Sequence, residues 1–176
     1  MKKLLGTMVA IMVAAILIGT FITARPSMAG EKARDGRFIA YDNATVMDTK
    51  TGLMWAEKDN GSDIDWSGAK RHCENYRGGE YTDWRLPTTD ELAGLYESKL
   101  QLTRFRERGP SRQVACDKSN NIHIATKLID ITCYTPWASE TRVSEAAFFD
   151  FTNGQIYWVP QAATKFGRAL PVRSGK

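Results

Sequence analysis

The chain has 176 residues, a formal net charge of +4, 25% charged residues and three cysteines. That length suits one domain with a single sizeable core and leaves little for a second. Lys2, Lys3 and Arg25 account for the apparent basicity, because beyond residue 29 there are 21 basic and 20 acidic residues, and such a balance does not point to nucleic acid.

Residues 1–29 read as a targeting segment. Lys2 and Lys3 precede an uncharged apolar run from Leu4 to Ala24, and Ser27-Met28-Ala29 has the small-x-small pattern of a cleavage site. The run is also long enough, at about 1.5 Å per residue, to stay in the bilayer as an anchor. Signal peptide or anchor, it places the rest of the chain outside the cytoplasm, in the periplasm or at the cell surface, where disulfides are permitted. Membrane contact is expected only through this segment.

Residues 30–36 are short and polar and read as a flexible lead-in to a domain spanning 37–174. Phe38 to Tyr41 is a first short strand, turned by Asp42-Asn43. Thr45–Asp48 and Leu53–Ala56 flank Thr49-Lys50-Thr51-Gly52, a hairpin turn with Gly52 at the left-handed position. Asp59, Asp63 and Asp65 invite a calcium reading, but the Glu that completes an EF-hand loop is missing, so the stretch reads as a hydrophilic loop. Trp66, Ala69, Cys73 and Tyr76 then fall at helical spacing, which makes Cys73 a core residue of a first helix.

Gly78-Gly79 is expected to close that helix with positive φ. Pro87 forces Leu86 to be extended and ends whatever strand carries Trp84. Thr88 and Glu91 have the spacing of a capping box, so a second helix starts after Pro87, buries Leu92, Leu95 and Tyr96, and frays near 98–102. From about Gln101 to Thr132 no period is sustained, apart from a brief alternation at 122–125; this is a long loop region. Tyr134 to Ala138 reads as a strand with an edge or bulge at Pro136. Ala146 to Phe151 and Gln155 to Val159 make a hairpin around Thr152-Asn153-Gly154, and Gly167 to Arg173 reads as a last strand returning beside the first.

Trp84-Arg85-Leu86-Pro87-Thr88 followed by Glu91-Leu92, with Thr51-Gly52-Leu53-Met54-Trp55 upstream and Trp66-Ser67-Gly68-Ala69 and Cys73 between them, resembles the bacterial Lcl C-terminal domain family, named for a collagen-like adhesin. The likeness runs from about Gly36 to Arg173. It implies an α+β, C-type-lectin-like fold: two helices packed on antiparallel β-hairpins, with binding loops after the second helix. In that family the helix cysteine often pairs with one near the C-terminus. Here Ala169 to Arg173 holds none, which favours Cys116–Cys133 and leaves Cys73 a buried free thiol. The Arg-Leu-Pro-Thr piece recurs in formylglycine-generating enzymes, whose oxidative chemistry uses cysteines late in the domain. This chain has none after Cys133, and it lacks the motifs of calcium-dependent sugar lectins.

His72 and His123 are the sole histidines and lack zinc-ligand spacing, so neither a metal nor a cofactor is assigned. Arg104, Arg106, Arg108 and Arg112 crowd together with Glu107 as the one acid among them, and residues after Phe151 include Lys165, Arg168, Arg173 and Lys176 but no acid. Patches of this kind suit sulfate, phosphate or carboxylate groups, and the namesake adhesin domain binds sulfated glycans. Trp137, Tyr157 and Trp158, near expected loop ends, are candidates for stacking on a sugar. Trp55, Trp66, Trp84, Phe149 and Phe151 read as core. Trp84, Arg85, Leu86, Pro87, Thr88 and Glu91 read as structural, with Arg85 paired to Glu91 or Asp83. The expected function is a non-catalytic binding or adhesion module for an anionic polysaccharide or an envelope protein. Alternatives are a thiol-dependent enzyme or redox protein of the periplasm, and a structural component of a surface assembly.

Overall fold

A computed structural model describes residues 29–98, 116, 122–165 and 167–175. Among these residues the elements run β1 (Glu31–Asp35), β2 (Phe38–Tyr41), β3 (Thr45–Asp48), β4 (Leu53–Ala56), α1 (Trp66–Asn75), α2 (Thr89–Leu95), β5 (Thr135–Arg142), β6 (Glu145–Asp150), β7 (Gln155–Pro160), β8 (Gly167–Arg168) and β9 (Val172–Ser174). The architecture is α+β. One sheet has the order β1-β2-β3-β4-β9 and is antiparallel throughout; the other has the order β7-β6-β5-β8, with β8 parallel to β5.

The first sheet begins earlier than the sequence pattern implies. Glu31–Asp35, expected as a flexible lead-in, is a strand paired with β2, Asp35 opposite Phe38 and Glu31 opposite Tyr41. It is an edge strand with mostly exposed side chains, so its ladder bonds form without an apolar pattern to announce them. The β3–β4 turn closes as its residues predict: Gly52 has φ 71° and donates its N–H to Asp48 O at 2.9 Å.

The end of the chain divides. Gly167–Arg168 joins β5, whereas Val172–Ser174 lies along β4 with Trp55 opposite Val172. The expected single strand over 167–173 is therefore two, and the final one sits at the opposite edge of its sheet from β1 rather than beside it. Pro171, between the two pieces, has a fixed φ and no N–H to continue a ladder.

The main core gathers Phe38, Val46, Trp55, Leu92, Leu95, Phe149, Phe151, Leu170 and Val172 with three residues from the stretch expected as loop, Ile124, Ile129 and Ile131. Over 122–132, the described run of that stretch, the period is missing because the backbone is satisfied piecemeal instead of by a ladder. Asp130 N–H donates to Glu57 O at 2.7 Å, Thr132 N–H to Asp59 Oδ2 at 2.6 Å and Lys127 N–H to Asp35 Oδ2 at 3.1 Å. A smaller cluster of Ala69, Cys73, Leu86, Trp137, Ala146 and Ala169 packs α1 on the second sheet.

Between the helices, α1 ends at an extended Tyr76, so Gly78-Gly79 does not close it; Gly79, at φ 63°, shapes a separate 3-10 turn over Gly78–Glu80. Trp84 is carried by no strand. Its neighbour Arg85 makes one isolated antiparallel bridge to Val172, with N–H to O distances of 2.9 and 3.0 Å. The capping box forms: Thr88 Oγ1 accepts the Glu91 N–H at 3.1 Å, and Glu91 Oε2 accepts the Thr88 N–H at 2.8 Å. Helix α2 ends at Leu95, short of the expected fraying zone. Strand β5 runs on to Arg142, and its pairing with β6 shifts register between Trp137 and Thr141, just beyond Pro136. The β6–β7 hairpin turns through Thr152-Asn153-Gly154, with Gly154 at φ 74°.

Glu91 also takes two hydrogen bonds from the Arg85 guanidinium, at 2.7 and 2.6 Å. Burial pushes its carboxyl up, but Arg85 and the Thr88 amide outweigh burial and hold it below the ordinary 4.5. A carboxylate depressed in the folded state stabilises fully above its unfolded value and loses that contribution as pH falls through the folded one. Thr88→Ala is expected to cost about 1 kcal/mol in urea denaturation. Glu91→Gln is expected to destabilise at about neutral pH and to lose less stability than wild type on going to about pH 3.

Candidate functional site

Three rings stand in a row across the second sheet. Trp137 lies opposite Phe148 and Phe148 opposite Tyr157, so strand pairing puts all three on one face. The Trp137 and Phe148 centroids are 6.2 Å apart at 83°, those of Phe148 and Tyr157 5.4 Å apart at 28°. Above them is a cleft of about 300 Å³, walled also by Tyr134, Thr135, Val159 and Ala163, with Asp150 and Lys165 contributing opposite charges.

Each ring has a different part. Trp137 is 1% exposed and its Nε1–H donates to Ile64 O at 2.8 Å, so it is the floor of the cleft and offers no open platform of the kind expected for stacking. Gly167 passes directly over it; a Cβ there would collide with the indole nitrogen. Tyr157, 42% exposed, is the accessible ring, and its hydroxyl accepts from Asn153 Nδ2 at 3.1 Å. Asp150 uses Oδ1 to accept from the Thr152 N–H and hydroxyl at 2.8 and 2.6 Å, which leaves Oδ2 as its unused acceptor among the described residues. Trp158 belongs elsewhere: it projects from the opposite face of β7, half-buried, with the Arg142 guanidinium 3.7 Å from its ring centroid. Phe148 and Asp150 are the additions from the structure, and Lys165, counted from sequence as part of the basic C-terminal stretch, joins them at the cleft. The alternation in β6 carried the signal for Phe148, since the buried Phe149 and Phe151 necessarily leave 148 on the other face.

The charges are distributed differently from the expectation. Arg168 is 6% exposed: Nη1 pairs with Asp63 at 2.5 Å, Nε donates to Thr132 Oγ1 at 2.8 Å and Nη2 faces Cys116 Sγ at 3.6 Å. Arg173 is 7% exposed, bound through Nε to Asp83 at 2.6 Å and laid over the Tyr81 ring at 3.8 Å. Both arginines, counted from sequence as part of a basic surface, are thus consumed inside the fold, since a buried guanidinium must be paired. Lys165 stays exposed at the cleft. Arg104, Arg106, Arg108, Arg112 and Lys176 lie outside the described residues.

The aspartates once read against calcium have separate duties. Asp59 accepts from Thr132 and from the Gly61 N–H, Asp63 holds Arg168, and Asp65 caps α1 by accepting the Gly68 N–H at 2.6 Å. Burial pushes the Asp59 carboxyl up, against the lowering effect of those amides, the Thr132 hydroxyl and Arg168.

The profile of the Lcl C-terminal domain matches residues 44–173, which covers both helices, the cleft, the whole second sheet and the first sheet from β3 onward. The chain belongs to that family. No curated protein matches the sequence. In this Lcl C-terminal domain the helix cysteine has no partner: Cys73 is free and fully buried, while Cys116 and Cys133 are joined with Cα atoms 5.5 Å apart. Burial, with a smaller contribution from Glu74, pushes the Cys73 thiol up to about 12. His72 is half-buried, and desolvation holds it below its ordinary 6.5.

Cys73 should therefore resist thiol reagents at about pH 8 while the domain is folded, and one thiol per chain should react once it is unfolded without reductant. Rapid native labelling would contradict the packing described. Reducing Cys116–Cys133, which spans 17 residues, is expected to lower stability by roughly 3 kcal/mol in a denaturant titration.

Proposed function

We propose that this Lcl C-terminal domain is an exported, non-catalytic binding module of C-type-lectin-like architecture, whose ligand is a polyanionic glycan of a cell surface or envelope. The observation that carries the reading is the cleft on the second sheet: an accessible tyrosine ring backed by Phe148 and Trp137, with an exposed lysine beside it. Aromatic faces suit the apolar face of a sugar ring, and an ammonium suits the sulfate or carboxylate it bears. In the same reading Arg104, Arg106, Arg108 and Arg112 supply further positive charge to the polymer.

Export is favoured by the apolar N-terminal run and by a disulfide, which persists in oxidising compartments. The thiol-dependent alternative has little to work with: Cys73 is buried with its thiol at about 12, and the other cysteines are bonded to each other.

Retention of the full chain on a heparin-type column at about 0.15 M salt tests the reading. The Arg104/Arg106/Arg108→Ala variant should elute clearly earlier, and Tyr157→Ala should weaken binding of a sulfated oligosaccharide roughly tenfold, about 1.4 kcal/mol. Wild-type protein that passes straight through at low salt, or variants indistinguishable from it, would count against this function.

A further inference from the structure

Among the described residues the exposed large hydrophobic side chains are Tyr81, Val143, Ile156 and Tyr157, and all but Tyr81 lie on the β5–β6–β7 side of the molecule. Among the described residues strand β7 is an open edge, paired with β6 alone. Gln161 N–H donates to Ser144 O at 2.9 Å, one step beyond the ladder. Alternation then turns the backbone groups of Tyr157 and Val159 toward β6 and those of Ile156 and Trp158 outward, where no described residue meets them. The row ends at Pro160, which has no N–H and whose carbonyl already accepts the Ala163 N–H at 2.9 Å.

Unpaired edges invite strand addition, and charge is the usual guard against it. The edge strands β1 and β7 differ in that respect. β1 carries Glu31, Lys32, Arg34 and Asp35, whereas Gln155-Ile156-Tyr157-Trp158-Val159-Pro160 carries no charge. We propose that β7 pairs antiparallel with β7 of a second copy, about a two-fold axis at Tyr157, joining the two four-stranded sheets into one.

The register follows from which groups are available. With the axis at Tyr157, Ile156 of each copy faces Trp158 of the other, and the four outward N–H groups find the four outward carbonyls. Sliding by two residues would put a free pair against Pro160 or against Gly154, whose N–H is already given to Asp150 O at 2.8 Å. On one face each exposed Ile156 then covers the half-buried indole of the other copy; on the other face the Tyr157 side chains meet. An uncharged strand brings no like charges together when it meets itself, and a single self-complementary contact removes both open edges, which is why a second copy is the occupant. The two aromatic clefts come to lie on the same face of the joined sheet. The inference does not depend on the glycan reading.

Sedimentation of the full chain, in the form export leaves it, should show a dimer over about 1 to 100 μM, and Ile156→Lys should weaken self-association at least roughly tenfold with unchanged circular dichroism. Mild oxidation should lock a Tyr157→Cys variant into a covalent dimer, because Cα atoms in such a non-hydrogen-bonded pair are about 4.5 Å apart, whereas Gln155→Cys, whose opposite residue is Val159, should stay uncoupled. A wild-type monomer throughout that range, an Ile156→Lys variant that associates as well as wild type, or equal cross-linking at 155 and 157 would overturn the proposal.

Discussion

One extended segment, Arg85 to Thr88, holds the two sheets of this domain to each other. Arg85 exchanges both backbone hydrogen bonds with Val172, which fastens it beside the last strand of the first sheet, and Pro87 O accepts the Ser139 N–H at 2.8 Å, which fastens it to β5 of the second. The start of α2 is then set from two directions. Glu91 caps it from within, and the Thr89 N–H and hydroxyl both donate to Glu140 Oε1 at 2.9 Å. The bidentate Arg85–Glu91 pair braces the corner between segment and helix, and because Arg85 is half-exposed the pair contributes geometry more than energy. Leu92 and Leu95 reach the main core from the position so defined.

Two buried arginines extend the bracing. Arg168 ties the loop around Asp63 to Thr132 and to the Cys116 sulfur, and Arg173 ties β9 to Asp83 and Tyr81. A desolvated guanidinium tolerates this only with partners at hydrogen-bond distance, so removing either partner is worse than never having had the charge. For function the consequence is that basic residues cannot simply be summed along the C-terminal third. The cation that remains at the cleft there is Lys165, and the chemistry of that face is set as much by its aromatic row as by charge.

Several elements were legible because their causes are local. The turn glycines at 52 and 154, the Thr88–Glu91 box, the stripe that buries Ala69 and Cys73, and the alternation in β6 all depend on residues within a few positions of one another. Elements whose causes are distant escaped. β1 has no apolar pattern of its own and exists because β2 offers it a ladder. Ile124, Ile129 and Ile131 are core residues in a stretch whose Asp130, Thr132 and Lys127 amides hydrogen-bond to Glu57, Asp59 and Asp35, scattered anchors that leave no period behind. Of the candidate ligand residues, Trp137 and Tyr157 could be named as aromatics, yet that they share a cleft, and that Trp158 does not, follows from strand register.

The sequence by itself therefore determined the family, the two helices and the hairpins, since each rests on short-range spacing or on a motif read whole, and the resemblance to the family favoured Cys116–Cys133 because the usual C-terminal cysteine is missing. Tertiary structure alone decided where the charges went. Arg168 finds Asp63 across 105 positions and Arg173 finds Asp83 across 90, distances at which no local pattern operates. Such pairings are selected by what the packed sheets bring within reach, and by the cost of leaving a buried charge alone once they have done so.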